Sequence, residues 1–84
     1  MNTVITGASS GIGYETALRF AEVQDNLVFA LARRKKQLEE LVGRAAPGRI
    51  VPVVSDLTAY DNGQLLNAIN KHQIQHIDFL IHNA

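Results

Sequence analysis

The chain has 84 residues, 46% of them hydrophobic and 19% charged, with a formal net charge of zero and no cysteine. This length allows one small domain, and the balanced charge gives no electrostatic attraction toward nucleic acid or an anionic membrane. Disulfide and thiolate chemistry are excluded, no apolar run nears the roughly 18 residues that span a bilayer, and Met1-Asn2-Thr3 does not begin a signal peptide, so we expect a cytoplasmic protein.

The first predicted strand covers residues 2–6 and leads into a loop with three glycines, Thr6-Gly7-Ala8-Ser9-Ser10-Gly11-Ile12-Gly13. Glycine adopts positive φ and lacks a Cβ, so this backbone can turn sharply and approach a ligand closely. A helical pattern follows, and the free amides and dipole at a helix N-terminus favour an anion. The loop predicts a phosphate-binding turn; the alternative is a tight strand-to-helix connection without a ligand.

The helix after the loop is predicted to pack through one apolar face. The residues at helical spacing are Ile12, Thr16, Phe20 and Val23, with Ala17 and Ala21 beside them. Asp25-Asn26 marks the turn out of this helix. Residues 27–32 then run apolar without alternation, which is typical of a strand covered on both faces in a parallel sheet.

A second helix and a third strand follow. Leu38, Leu41, Val42 and Ala45 have helical spacing, and Pro47-Gly48 ends that helix. Residues 50–54 form the third predicted strand. Because Pro52 has no N–H to donate to a neighbour, we place this strand at an edge of the sheet.

The last part of the chain predicts one more helix and one more strand. Thr58 and Asp61 resemble a capping box for a helix that carries Leu65, Leu66 and Ile69 and ends near His72. Residues 77–82 form the fourth strand.

The order βαβαβαβ predicts an α/β protein. Right-handed crossovers give a partial Rossmann fold with a four-stranded parallel sheet of strand order 3-2-1-4, flanked by helices. We assign residues 1–84 to the N-terminal half of a dinucleotide-binding Rossmann domain.

The spacing of the glycine loop is T-G-x-x-x-G-x-G, which differs from the G-x-G-x-x-G of many dinucleotide-binding folds. TGASSGIG resembles the glycine loop of the short-chain dehydrogenases/reductases at every position, and the resemblance covers the first four strands of that fold. It implies an oxidoreductase whose loop holds the cofactor's pyrophosphate. The implied contacts come from Gly7, Ser9, Ser10, Gly11, Ile12 and Gly13.

Two arginines follow the second predicted strand, about 20 residues after the glycine loop. An acid at this point would bind the ribose 2′-hydroxyl of NAD, whereas an arginine accommodates the 2′-phosphate of NADP. Arg33 and Arg34 therefore predict NADP, with NAD less favoured, because a guanidinium binds phosphate well. The alternative is a solvated first helical turn over residues 33–36, which we prefer for Lys35 and Lys36.

Two further segments match the resembled family. Asp56-Leu57 follows the third strand, where the family places a carboxylate near the adenine amino group, although Asp56 alone also suits a helix cap or turn. The family carries Asn-Asn-Ala-Gly after the fourth strand. Asn83 and Ala84 match it and are expected beside the adenosine ribose; His82 replaces the first Asn, so the resemblance implies no side-chain role at position 82.

The sequence assigns no catalytic residue and no metal site. The resembled family uses a Ser and a Tyr with a Lys four positions on, which tunes the phenol for proton transfer. Tyr14 is followed at that spacing by Leu18 and Tyr60 by Gln64. The three histidines are joined by no cysteine and no suitably placed acid, as a zinc site would require, and no P-loop sequence occurs.

Three functions remain open at this stage. The first is the cofactor-binding part of an NADP-dependent short-chain oxidoreductase, of which the 84 residues alone would be inactive. The second is a truncated dinucleotide-binding module without catalysis, and the third is a self-associating fold fragment. The apolar edge strand Phe79-Leu80-Ile81 favours a homo-oligomer. A dinucleotide is the expected small-molecule partner, and neither nucleic acid nor a membrane is expected.

Overall fold

The computed structural model describes residues 1–9, 11–55 and 63–83. Its strands are β1 (Asn2–Thr6), β2 (Leu27–Ala32), β3 (Ile50–Val54) and β4 (Phe79–His82), and its helices are α1 (Gly11–Glu22), α2 (Lys35–Arg44) and α3 (Gly63–Lys71). The first three strands begin and end where the sequence predicts. The predicted capping box at Thr58 and Asp61 lies outside the described residues.

The fourth strand begins later than predicted, at Phe79 instead of residue 77. Asp78 is the cause, because its carboxylate Oδ2 accepts the Asn2 amide at 2.7 Å while its own amide donates to the Asn2 carbonyl at 2.8 Å. A side chain thus replaces one backbone acceptor, and regular pairing starts at the next residue.

The four strands form one parallel sheet in the order β3-β2-β1-β4, as predicted. β3 lies at an edge of this sheet, and Pro52 pairs in register with Ala30 of β2. The missing N–H of the proline is therefore harmless on the side that has no neighbouring strand. β1 is central, between β2 and β4, so its carboxyl end is surrounded by the ends of other strands.

The core has one layer on each face of the sheet. On one face the strands pack against α1 and α2; the buried residues there include Ile5, Ala17, Val28, Ala30, Leu38 and Leu41. On the other face α3 contributes Leu65, Ala68 and Ile69 against Val4, Phe29, Leu31 and Val53. Alternate residues of β2 enter both layers, which explains its unbroken apolar sequence.

The buried face of α1 agrees only in part with the predicted one, because Ala17 and Ala21 are buried and Phe20 packs against the core as predicted. Ile12 and Val23 are 77% and 55% exposed, whereas Gly13, Ala17 and Ala21 are buried against the sheet. These small residues let the helix lie close to the strands, so the contact face follows size and not hydrophobicity. A pattern that weighs large apolar residues most heavily therefore places the centre of the buried face too near Ile12 and Val23.

In the described ranges, no helix combines the length and the apolar character needed to cross a membrane. The cytoplasmic location stays a prediction.

Candidate functional site

The predicted site segments lie along the carboxyl edge of the sheet. Thr6 at the end of β1 is in register with Leu31 of β2 and His82 of β4. The Ala8 amide then donates to the Leu31 carbonyl at 3.1 Å, so the glycine loop rests on the end of β2. β1 and β4 flank the point where the strand order reverses, and open α/β sheets bind ligands in the crevice at such a point.

The glycine loop leads directly into α1 with its backbone in the left-handed region. Gly7 has φ 65° and Gly11 has φ 62°, a conformation that residues with a Cβ rarely adopt. Gly11 is also the first residue of α1, and the first turn of that helix has no acidic side chain. The helix therefore presents its amides and its positive dipole end without an internal counter-charge.

Gly13 makes the closest contact between the loop and the end of β4. A Cβ at this position would overlap the Gly7 carbonyl oxygen and come within 2.6 Å of the Asn83 Nδ2. The side-chain Nδ2 of Asn83 donates a hydrogen bond to that same Gly7 carbonyl at 3.4 Å. The absence of a side chain at Gly13 therefore creates the space in which Asn83 holds the loop.

The Thr6 hydroxyl links the loop to β4 through two hydrogen bonds. Its oxygen accepts a hydrogen bond from the backbone amide of Asn83 at 3.0 Å and lies 2.9 Å from the Nδ1 of His82. Sequence reasoning gave His82 no side-chain role, because the residue departs from the family pattern. The register that places Thr6 opposite His82 is the signal that identifies the contact, and it depends on the pairing of two distant strands.

Thr3 and Thr6 of β1 give opposite expectations for the same substitution. Both are buried, but the Thr3 hydroxyl has no hydrogen-bond partner among the residues that the structure describes. We expect Thr3→Val to raise the free energy of unfolding by about 1 kcal/mol, because an unpaired buried hydroxyl is removed, and Thr6→Val to lower it by about 1–2 kcal/mol. Urea unfolding of the two variants measures both effects; a shift of the same sign in both would contradict this account.

The N-terminus of α2 is unusually basic. Arg34 is its N-cap residue and forms no side-chain capping hydrogen bond, and the first turn has Lys35 and Lys36 but no acid. Arg33 and Arg34 are exposed, and the nearest counter-charge to Lys35 is Glu39, 4.0 Å away and one turn along the helix. Positive charge at the positive end of a helix dipole is unfavourable, so this turn is suited to an external anion.

The structure brings most of the predicted residues to one edge. This edge, at which the strands end, contains the glycine-loop residues Thr6 through Ser9 and the start of α1. It also contains Arg33, which follows β2, and Asn83, which follows β4. The predicted contacts Ser10, Asp56, Leu57 and Ala84 lie outside the described residues. In the described ranges, no group of His, Cys, Asp and Glu is suited to hold a metal ion.

The Tyr14 side chain contacts Arg44 of α2. The Arg44 Nη1 donates to its hydroxyl at 3.4 Å, and the guanidinium lies 5.5 Å from the ring centroid. This hydrogen bond, together with the charge interaction with Tyr14, raises the pKa of Arg44. The pair connects α1 to α2 on the exterior of the protein.

The sequence profile of the family described as short chain dehydrogenase matches residues 1–84. The chain belongs to the short-chain dehydrogenase family. Among curated proteins it is 37% identical over 82 residues to Oxidoreductase BOA17 of Botryotinia fuckeliana, covering 95% of this chain and 29% of that protein. It is 38% identical over 85 residues to the 3-oxoacyl-[acyl-carrier-protein] reductase FabG of Thermotoga maritima, covering 96% of this chain and 33% of that protein.

Solved short-chain dehydrogenases have the same architecture. A short chain dehydrogenase from Bacillus anthracis superposes with a TM-score of 0.80 at 33% identity, over 99% of this chain and 34% of that one. The chain thus spans about a third of the length of these relatives. The four parallel strands and three helices described above correspond to the part of the family fold that this third contains.

Proposed function

We propose that residues 1–84 are the N-terminal half of the dinucleotide-binding Rossmann domain of a short-chain oxidoreductase, and that they favour NADP(H) over NAD(H). The observation that carries the proposal is the contact of the glycine loop with the end of β2, through the Ala8 amide and the Leu31 carbonyl. This contact brings the glycine loop next to the end of β2, which Arg33 and Arg34 directly follow.

The residues present suit a dinucleotide. The position of a Gly11 Cβ has no described atom within 4 Å, so the loop backbone is open to a ligand, and the helix behind it lacks an acidic first turn. These features suit the pyrophosphate. The uncapped basic start of α2 suits a second phosphate, and the 2′-phosphate is what distinguishes NADP from NAD.

The remaining contacts are assigned from the sequence. Asp56 and Leu57 would meet the adenine, and Asn83 and Ala84 the adenosine ribose. Ser9, Ser10 and Ile12 would complete the loop around the pyrophosphate. The cofactor, when bound, would donate a hydride from its reduced nicotinamide to a carbonyl or, in its oxidised form, accept one from an alcohol. The residues of this chain would bind and orient its adenosine half.

Titration of the 84-residue chain with NADPH and NADH tests the proposal. Because only part of a domain surrounds the cofactor, we expect dissociation constants in the micromolar to millimolar range, with NADPH binding about ten- to a hundred-fold more tightly. Equal affinities would reject the NADP preference, and no binding of either would reject the dinucleotide site. Carbonyl reduction by this chain alone should be undetectable, and measurable turnover would contradict the absence of catalytic residues.

Self-association of the 84-residue chain is a second candidate property, favoured by β4. This strand is at an edge of the sheet, and Phe79 and Leu80 are 47% and 68% exposed. An apolar edge strand offers free backbone groups for pairing. The proposal is that two copies associate through β4.

Leu80→Lys tests this proposal. A charge on the exposed edge should oppose pairing, so the variant should be monomeric at concentrations where the unmodified chain is dimeric or larger by light scattering. Val54→Lys is the matched control, because Val54 is 38% exposed on the opposite edge strand β3. A stable monomer of the unmodified chain at high concentration would reject self-association.

A further inference from the structure

His82 lies where the glycine loop, β1 and β4 meet. Its Nδ1 is 2.9 Å from the Thr6 hydroxyl oxygen, which also accepts the Asn83 amide at 3.0 Å. Asn83 in turn holds the Gly7 carbonyl through its side chain. A continuous series of hydrogen bonds therefore runs from an exposed imidazole to the first turn of the loop.

The chemistry of the hydroxyl fixes the direction of these bonds. Thr6 is 5% exposed, and its oxygen has a single hydrogen. If the His82 Nδ1 carried a proton, the hydroxyl would accept twice and its own hydrogen would lack an acceptor among the described residues. Because buried hydroxyls avoid that state, this geometry favours a bond from the Thr6 hydroxyl to an Nδ1 without a hydrogen, with the ring hydrogen on Nε2.

A fixed hydroxyl has a consequence for Asn83. When its hydrogen is directed at His82, the Thr6 oxygen presents a lone pair to the backbone amide of Asn83. This bond holds the end of β4 against the loop. Without an acceptor at position 82, the hydroxyl hydrogen can rotate toward the Asn83 amide and compete with that bond.

We propose that His82 is a positioning residue, whose Nδ1 orients the Thr6 hydroxyl and thereby keeps Asn83 and the glycine loop in the arrangement that receives the dinucleotide. The effect on affinity rests on the proposed function, whereas the effect on the loop does not. His82 itself need not touch the cofactor.

The first test measures the loop without any ligand. Nitrogen-15 NMR of the imidazole should find the Nε2–H form in the unmodified chain and a mixture of forms in Thr6→Val. In His82→Leu, hydrogen exchange at the backbone amide of Asn83 should accelerate by about tenfold. In His82→Asn, which retains an acceptor at this position, the amide should again be protected from exchange. An Nδ1–H ring in the unmodified chain, or unchanged exchange in His82→Leu, would overturn the proposal.

The second test measures NADPH affinity under conditions where every variant is folded by circular dichroism. We expect His82→Leu to bind about tenfold more weakly, because one partly buried hydrogen bond is lost, and His82→Asn to remain within about threefold. His76→Leu removes an exposed histidine that precedes β4 and should bind as the unmodified chain does. Equal affinity of His82→Leu and the unmodified chain would overturn the positioning role, whereas failure of the unmodified chain to bind any dinucleotide would overturn the proposed function and leave the exchange experiment to decide on His82.

Discussion

Gly13→Ala should lower the free energy of unfolding by about 3 kcal/mol, because a single methyl group has no space at this position. The alanine Cβ would overlap the Gly7 carbonyl oxygen, which is backbone and cannot rotate away. It would also collide with the side-chain Nδ2 of Asn83. Helix α1 would have to withdraw from the sheet, and Asn83 would lose its contact with the loop. Small domains have a total stability of about 5–15 kcal/mol, so this is a large fraction of it.

Gly43→Ala is the matched control for Gly13→Ala. Gly43 lies within α2, and no described atom is within 4 Å of its Cβ position. Alanine is the better helix former, so we expect this variant to be more stable by about 0.5 kcal/mol. Thermal and urea unfolding of both variants measure the contrast; a Gly13→Ala variant as stable as the unmodified chain would show that the loop and β4 are not in contact as described.

Arg33→Ala should weaken NADPH binding by about ten- to a hundred-fold and leave NADH binding unchanged. The 2′-phosphate is the group that differs between the two cofactors, so a contact with it must appear in one affinity and not in the other. Isothermal titration with both cofactors, at one fixed salt concentration, measures the difference. Salt must be fixed because the contact is an exposed charge interaction, which ions screen.

Arg19→Ala controls for the loss of one positive charge. Arg19 is exposed in the last turn of α1, at the opposite end of that helix from the glycine loop. The variant changes the net charge as Arg33→Ala does, so we expect no change in the ratio of the two affinities. An equal loss of NADPH and NADH binding in Arg33→Ala would assign Arg33 to general electrostatics and not to cofactor selection.

The strands of this protein could be predicted because their signals are local. Residues 27–32 are apolar throughout, since β2 is buried on both faces, and Pro52 identified an edge strand from its chemistry alone. The glycine spacing located the loop and identified the family. Each of these inferences needs only a few neighbouring residues and the pattern in which they recur.

The contacts that could not be predicted depend on residues far apart in the chain. Gly13 meets Gly7 and Asn83, and Thr6 meets His82, only after strand pairing has brought β4 beside β1. The buried side of α1 was predicted correctly at Ala17 and Ala21 but not at Ile12 and Val23. Helical spacing identifies Ile12 and Ala17 as apolar equally well, but which of them faces the sheet depends on how closely the helix approaches the strands.

The position of β1 at the centre of the sheet has a consequence for folding. Its pairing with β4 joins residues 76 positions apart, as between Thr6 and His82, which is nearly the whole length of the chain. Contacts of such long sequence separation form slowly, because a large loop must close before they contribute any stability. The contacts within the glycine loop and α1 are local in sequence, whereas Asn83 reaches Gly7 only when β4 docks. We therefore expect the proposed ligand site to be completed only when β4 docks, and detachment of this one edge strand would separate Asn83 from the glycine loop.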